Sequence, residues 1–138
     1  MKGSHIAALL ITLLLLLPGC ITWQKTSRAT LQGFYATANT GAAVGKPMMH
    51  DKCMDAMAAC AKVNDAVCQP LILCQEQKSL FTKTIVSALR AVMMGLFAVE
   101  AADKNETAVW LVNGAGFIEQ LRLLAKANGL DAGLSPRK

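Results

Sequence analysis

The sequence predicts an all-α fold, a disulfide-stapled antiparallel helical hairpin extended into a three- or four-helix bundle. Three observations carry this expectation. Apolar residues recur at steps of three and four through the second half of the chain, the spacing of one helix face. No stretch shows the apolar and polar alternation of a half-buried strand. Four cysteines, Cys53, Cys60, Cys68 and Cys74, are spaced so that one pairing suits two adjacent antiparallel helices. The 138 residues are 54% apolar, 5% aromatic and 17% charged, a balance that excludes a disordered charged tail and supports at most one domain of ordinary size.

Part of the apolar excess lies at the front. Residues 6–17 are an almost unbroken apolar run, preceded by Lys2 and followed by Pro18-Gly19-Cys20. A positive start, a short apolar stretch and small residues at its end are the three parts of a secretory signal. The run is too short to span a bilayer, which takes about 20 apolar residues. Leu17-Pro18-Gly19-Cys20 resembles the lipobox of bacterial prolipoproteins, with Leu17 and Gly19 at the expected places and Pro18 where that family usually carries Ala, Ser or Thr. The resemblance implies cleavage before Cys20, palmitate-type acylation of Cys20, a signal peptide over 1–19 and a lipidated tether over 20–25. Ile21 stands where the family's inner-membrane retention signal is Asp, which implies the periplasmic face of the outer membrane in a Gram-negative host. Acyl chains hold such a protein through about 0.8 kcal/mol per buried methylene.

A helical domain is expected over 26–129. Leu31, Phe34, Tyr35, Ala38 and Ala42 suggest a helix over 26–43 and Ala- and Met-rich sequence a second over 47–62. Gly41, Gly45 and Pro47 either separate the two or kink a single rod. Trp23 suits a membrane interface or packing on the bundle equally. Asn64-Asp65 supplies a turn, and Pro70 sits where the first residues of a helix tolerate a missing N–H.

The cysteines then choose their own partners. Assigning Cys20 to lipid leaves an even number in a chain exported to an oxidising compartment. On a helix, Cys53 and Cys60 are about 10.5 Å apart along the axis, beyond the roughly 7 Å a disulfide allows between α-carbons. Crossed pairing of Cys53 with Cys68 and Cys60 with Cys74 needs parallel segments that the short connection forbids. Nested pairing remains, Cys60 with Cys68 near the turn and Cys53 with Cys74 further down.

From Pro70 the residues Phe81, Ile85, Ala88, Val92, Leu96 and Val99 mark an amphipathic helix that ends near Asp103-Lys104-Asn105. Trp110, Leu111, Phe117, Ile118, Leu121 and Leu124 mark the next, with Gly129 as a left-handed stop. Gly114-Ala115-Gly116 inside it calls for close approach to another helix, or a kink or break. Residues 130–138 are expected as a flexible tail.

The chemistry-bearing inventory is sparse. The net charge is +5, and +4 once a 19-residue signal removes one of the 14 Lys and Arg, without a basic stripe interleaved with aromatics, so no nucleic-acid partner is expected. His50 is the one histidine outside the signal, with no nucleophile and orienting acid placed around it, and Asp51 and Asp55, with Lys52 and Lys62 nearby, read as a solvated face. No Cys-x-x-Cys redox or zinc spacing occurs. The expectation is therefore no enzyme, no catalytic residues, no metal and no cofactor, but a lipid-anchored envelope protein acting by protein–protein contact, of accessory, exclusion or immunity type. The alternative is a periplasmic copper binder using Met48, Met49, His50, Met54 and Met57, since thioether, imidazole and thiol suit a soft ion.

Overall fold

The computed structural model describes the backbone of residues 3–63 and 68–130 and the side chains of 22–63 and 68–130. The side chain of Cys20, the Asn64-Asp65 turn and residues 131–138 of the expected tail lie outside what is described. The fold is all-α. Helix α1 (Gly3–Thr40) runs through a π-helical turn (Gly41–Gly45) into α2 (Lys46–Val63), and α3 (Gln69–Glu100) and α4 (Lys104–Ala127) follow.

The first half of the chain is thus one rod rather than two separate helices, and it starts well before residue 26. Pro18 does not break it, because its fixed φ is itself a helical value and a single ladder bond is lost. Thr40 and Lys46 on either side of the π turn both keep right-handed helical dihedrals, and the Lys46 N–H donates five residues back to the Gly41 carbonyl. This wide turn falls immediately before Pro47, where a regular helix would drive the proline ring against the carbonyl four residues back.

Helix α3 is the central element, packed against the rod and against α4, which also touch each other. The rod and α3 run antiparallel: Gln24 Nε2 donates to the Val99 carbonyl at 3.1 Å at one end, and Cys53 meets Cys74 toward the other. Three apolar layers fill the space between. Leu31, Val92 and Val99 form the first, with Trp23, Phe34 and Leu111 against it. Ala38, Ala88 and Ile118 form the second, and Met49, Phe81, Ile85, Leu121, Ala125 and Leu130 the third. Two parts of the sequence reading change here. Trp23 and Gln24, expected in a tether over 20–25, are held on the bundle because α1 continues through them. Leu130, expected in the tail, is only 3% exposed.

The helices come close because large side chains sit over glycines. A β-carbon at Gly45 would stand 2.5 Å from Phe81 Cζ, and one at Gly95 would stand 2.8 Å from Leu31 Cδ2. Within Gly114-Ala115-Gly116 only the first glycine serves this purpose: Gly114 is buried with Phe34 Cδ2 2.9 Å from its would-be β-carbon, while Gly116 has nothing within 4 Å. Close approach, not a break, is the reason for Gly114.

The two remaining ends are built alike. After α3, Asp103 N donates to the Ala98 carbonyl and Ala102 N to Val99; after α4, Leu130 N donates to Ala125 and Gly129 N to Lys126. Both are helix stops with a left-handed residue, Ala102 at φ 55° and Gly129 at φ 73°. The α4 stop turns Leu130 back against Ala125, which is why that residue is in the core. Asp103 then caps α4, its side chain accepting from Glu106 N at 2.9 Å.

Gly116→Ala stabilises the fold by about 1 kcal/mol through helix propensity, whereas Gly114→Ala costs about 1 kcal/mol or more because Phe34 must move. Urea unfolding of the pair, read against the parent, gives opposite shifts in midpoint. Separately, Ala102→Gly removes the penalty of a side chain in the left-handed region and raises the unfolding free energy by up to about 1 kcal/mol; an unchanged or lower melting temperature contradicts that account.

Candidate functional site

Four parts of the molecule bear on function: the helix carrying Cys20, the stapled hairpin, the Met and His cluster beside it, and an apolar groove on α3. Cys20 lies within α1, so about 40 residues of helical rise, on the order of 60 Å, separate it from Cys60 near the end of the rod.

The hairpin is fixed by two bridges. Cys53 is joined to Cys74 with α-carbons 5.5 Å apart, and Cys60 to Cys68 with α-carbons 5.8 Å apart, the inner bridge closing 8 residues and the outer 21. The bridges are nested because α2 and α3 are antiparallel, so each step toward the turn on one helix is matched by a step toward it on the other. Around them Met54, Met57, Val63, Ile72 and Leu73 stay exposed, Leu73 at 57% and Val63 at 76%. The cross-links hold the backbone that carries these apolar side chains, so a partner that covers them has less backbone to order.

Of the residues named for the copper alternative, His50, Met54 and Met57 share one exposed face of α2 at helical spacing, and Met49 points away from it. Met49 is fully buried in the layer with Phe81, while Met48, Met54 and Met57 are exposed. His50 Nδ1 accepts from the Lys78 ammonium at 3.1 Å, and the four cysteine sulfurs are engaged with one another. Among the described residues no group of three or more His, Cys, Asp and Glu side chains is assembled. Asp51 and Asp55 are both solvent-exposed on α2. Lys52 faces the far end of the bundle, donating to the carbonyl and Oδ1 of Asn128 at 3.2 and 3.3 Å, where a cation suits the end of α4.

The sequence reading missed the groove. It lies beside the contact of α1 with α3, about 600 Å³ in volume, and is lined by Tyr35, Val86, Leu89, Met93 and Leu96 with Arg90 among them. Val86 and Met93 are more than half exposed, and Phe97 on the same face of α3 is 65% exposed. Its signal was present in the sequence, as apolar residues on the side of α3 opposite the Phe81 to Val99 stripe. At one end the Arg28 guanidinium pairs with Glu100.

Replacing both Cys53 and Cys74 with Ala is expected to lower stability by about 2–4 kcal/mol, the range for loops of this size, while most of the helical circular dichroism remains. Peptide mapping without reduction is expected to recover Cys60–Cys68 and Cys53–Cys74 peptides. A Cys53–Cys60 peptide contradicts the nested arrangement.

Compared with known proteins, the chain matches no protein-family model, no curated protein and no solved structure.

Proposed function

We propose that this protein is a small lipoprotein of the bacterial cell envelope, anchored through lipid on Cys20 to the periplasmic face of the outer membrane, that acts without catalysis by contacting another envelope protein through its stapled hairpin. The role is of accessory, exclusion or immunity type. The observation that carries the contact surface is the position of Met54, Met57, Val63, Ile72 and Leu73 on the one part of the bundle that two disulfides cross-link. Support for the anchor comes from the lipobox-like Leu17-Pro18-Gly19-Cys20 and the apolar run before it.

The geometry suits that division of labour. Cys20 lies on the same continuous rod as the exposed apolar hairpin, about 60 Å of helix before Cys60. An exported chain also meets the oxidising conditions its bridges require. Among the described residues the buried polar side chains are Ser27, Thr84 and Thr107. Thr84 and Thr107 are each spent on a local helix bond, donating to the carbonyls of Leu80 and Asp103.

The test uses two variants of the intact chain. Cys20→Ser is expected to abolish incorporation of labelled fatty acid and outer-membrane sedimentation while the domain stays helical. Undiminished labelling refutes the anchor. A photoreactive residue at Leu73 or Met57, irradiated in intact envelopes, is expected to give one discrete protein adduct that the same residue at Gln120 on α4 does not give. Absence of any adduct at both hairpin positions refutes the contact surface.

A further inference from the structure

We propose that the outer face of α3 is a second membrane-contact site, docking the bundle sideways on an anionic lipid bilayer. The inference rests on the envelope reading above only in taking the start of α1 to be at the membrane.

Helix α3 is long and apolar enough to cross a bilayer by length and composition, yet well under half of its most apolar stretch is buried in the bundle. What remains uncovered is ordered. Val86, Arg90, Met93 and Phe97 follow one another at helical spacing on a single face, with Tyr35 of α1 completing the groove beside them. A patch of this kind with cations on its flank is the composition of a helix that lies in a lipid interface, its arginine and lysine stems reaching up to the headgroups.

Charge selects the occupant. Between Glu76 and Glu100, α3 carries Lys78, Lys83 and Arg90 and no acidic residue. Glu100 is held by Arg28 and Lys78 by His50, whereas Lys83 and Arg90 are exposed beside the apolar face. A second copy docking through this face would bring its own Lys83 and Arg90 into the interface and no acid from between Glu76 and Glu100 to offset them. An anionic headgroup layer meets them instead. Position agrees with chemistry. Leu31 rests over Gly95, so the Phe97 end of the face lies level with the Leu31 turn of α1, about 17 Å of helix past Cys20, and Tyr35 is about 22 Å of helix from Cys20. Laid on this side, the bundle points its stapled hairpin along the membrane rather than away from it, toward proteins seated in the same bilayer.

The full chain is reconstituted into phosphatidylcholine vesicles with and without phosphatidylglycerol, carrying a photoreactive residue at Val86 or Phe97. Val112 serves as control, an exposed apolar residue on α4 with the acid Glu119 two turns along. Lipid adducts are expected at Val86 and Phe97, stronger with phosphatidylglycerol and weak at Val112. Lys83→Gln and Arg90→Gln are each expected to lower the yield roughly fivefold, the value of one basic residue at an anionic surface. Both residues are exposed, and circular dichroism confirms that the variants are folded. Chain-to-chain adducts, equal yields at Val112, or yields indifferent to phosphatidylglycerol overturn the proposal. Mass at Cys20 on the same samples keeps the two readings apart: an unlipidated chain with adducts at Val86 loses the anchor and keeps this site, and a lipidated chain without them does the reverse.

Discussion

The bundle depends on how near its helices can come to one another. Phe81, Leu31 and Phe34 are seated over Gly45, Gly95 and Gly114, each at a separation that a β-carbon would fill. Those three contacts tie the rod to α3 at two levels and to α4 at a third. The apolar layers then close with small residues such as Ala38, Ala88 and Ala125 between the large ones. Packing at this density leaves little room for volume change, so the glycines matter through the space they leave rather than the flexibility they bring.

The same contact explains the irregular middle of the first rod. Gly45 lies directly under the Phe81 ring, and a β-carbon at Gly41 would stand 3.1 Å from Leu121 Cδ2 and 3.6 Å from Ile85. A π turn adds one residue to the helix at the point where Pro47 would otherwise meet the preceding carbonyl. Glycine, proline and the wide turn therefore answer one demand, that the helix continue unbroken into the hairpin while Phe81 of α3 presses against it. Thr107 and Asp103 perform a comparable joint task at the α3 to α4 connection, where one aspartate ends a helix and begins the next.

Much of this was legible in the residues. The steps of three and four from Phe81 to Val99 and from Trp110 to Leu124 are helix periodicity, and the cysteine spacing admits one pairing once helices are granted. The continuity of the rod was not legible, because Gly41, Gly45 and Pro47 carry the same local preference whether they end a helix or lie beneath an aromatic ring. What decides is Phe81, some 36 positions away. Leu130 was hidden for a similar reason: sequence places it at the margin of the domain, and only the left-handed stop at Gly129 brings it inward, while for Trp23 the sequence left membrane and bundle equally open and the length of α1 decides for the bundle. For the candidate sites, the methionines looked like one cluster in sequence because helical neighbours are adjacent in number, yet the helix sends Met49 into the core and its neighbour Met48 to solvent. The groove on α3 was overlooked because an apolar helix is naturally read as core, and which of its sides is covered depends on where two other helices settle.

Nesting of the bridges on the first two arms has a consequence for a chain that is made from its N-terminus. Every cysteine of the pairs precedes α4, so where the chain emerges into an oxidising compartment the rod and α3 can be covalently joined before the last quarter of the polypeptide follows. At that stage Phe34, Phe81 and Ile85 have lost their chance to drift apart but still lack the cover that α4 brings with Gly114, Ile118 and Leu121. The cross-links hold a half-built cradle open in register, and the three-residue connection from α3 leaves the late-arriving helix a short search to fill it.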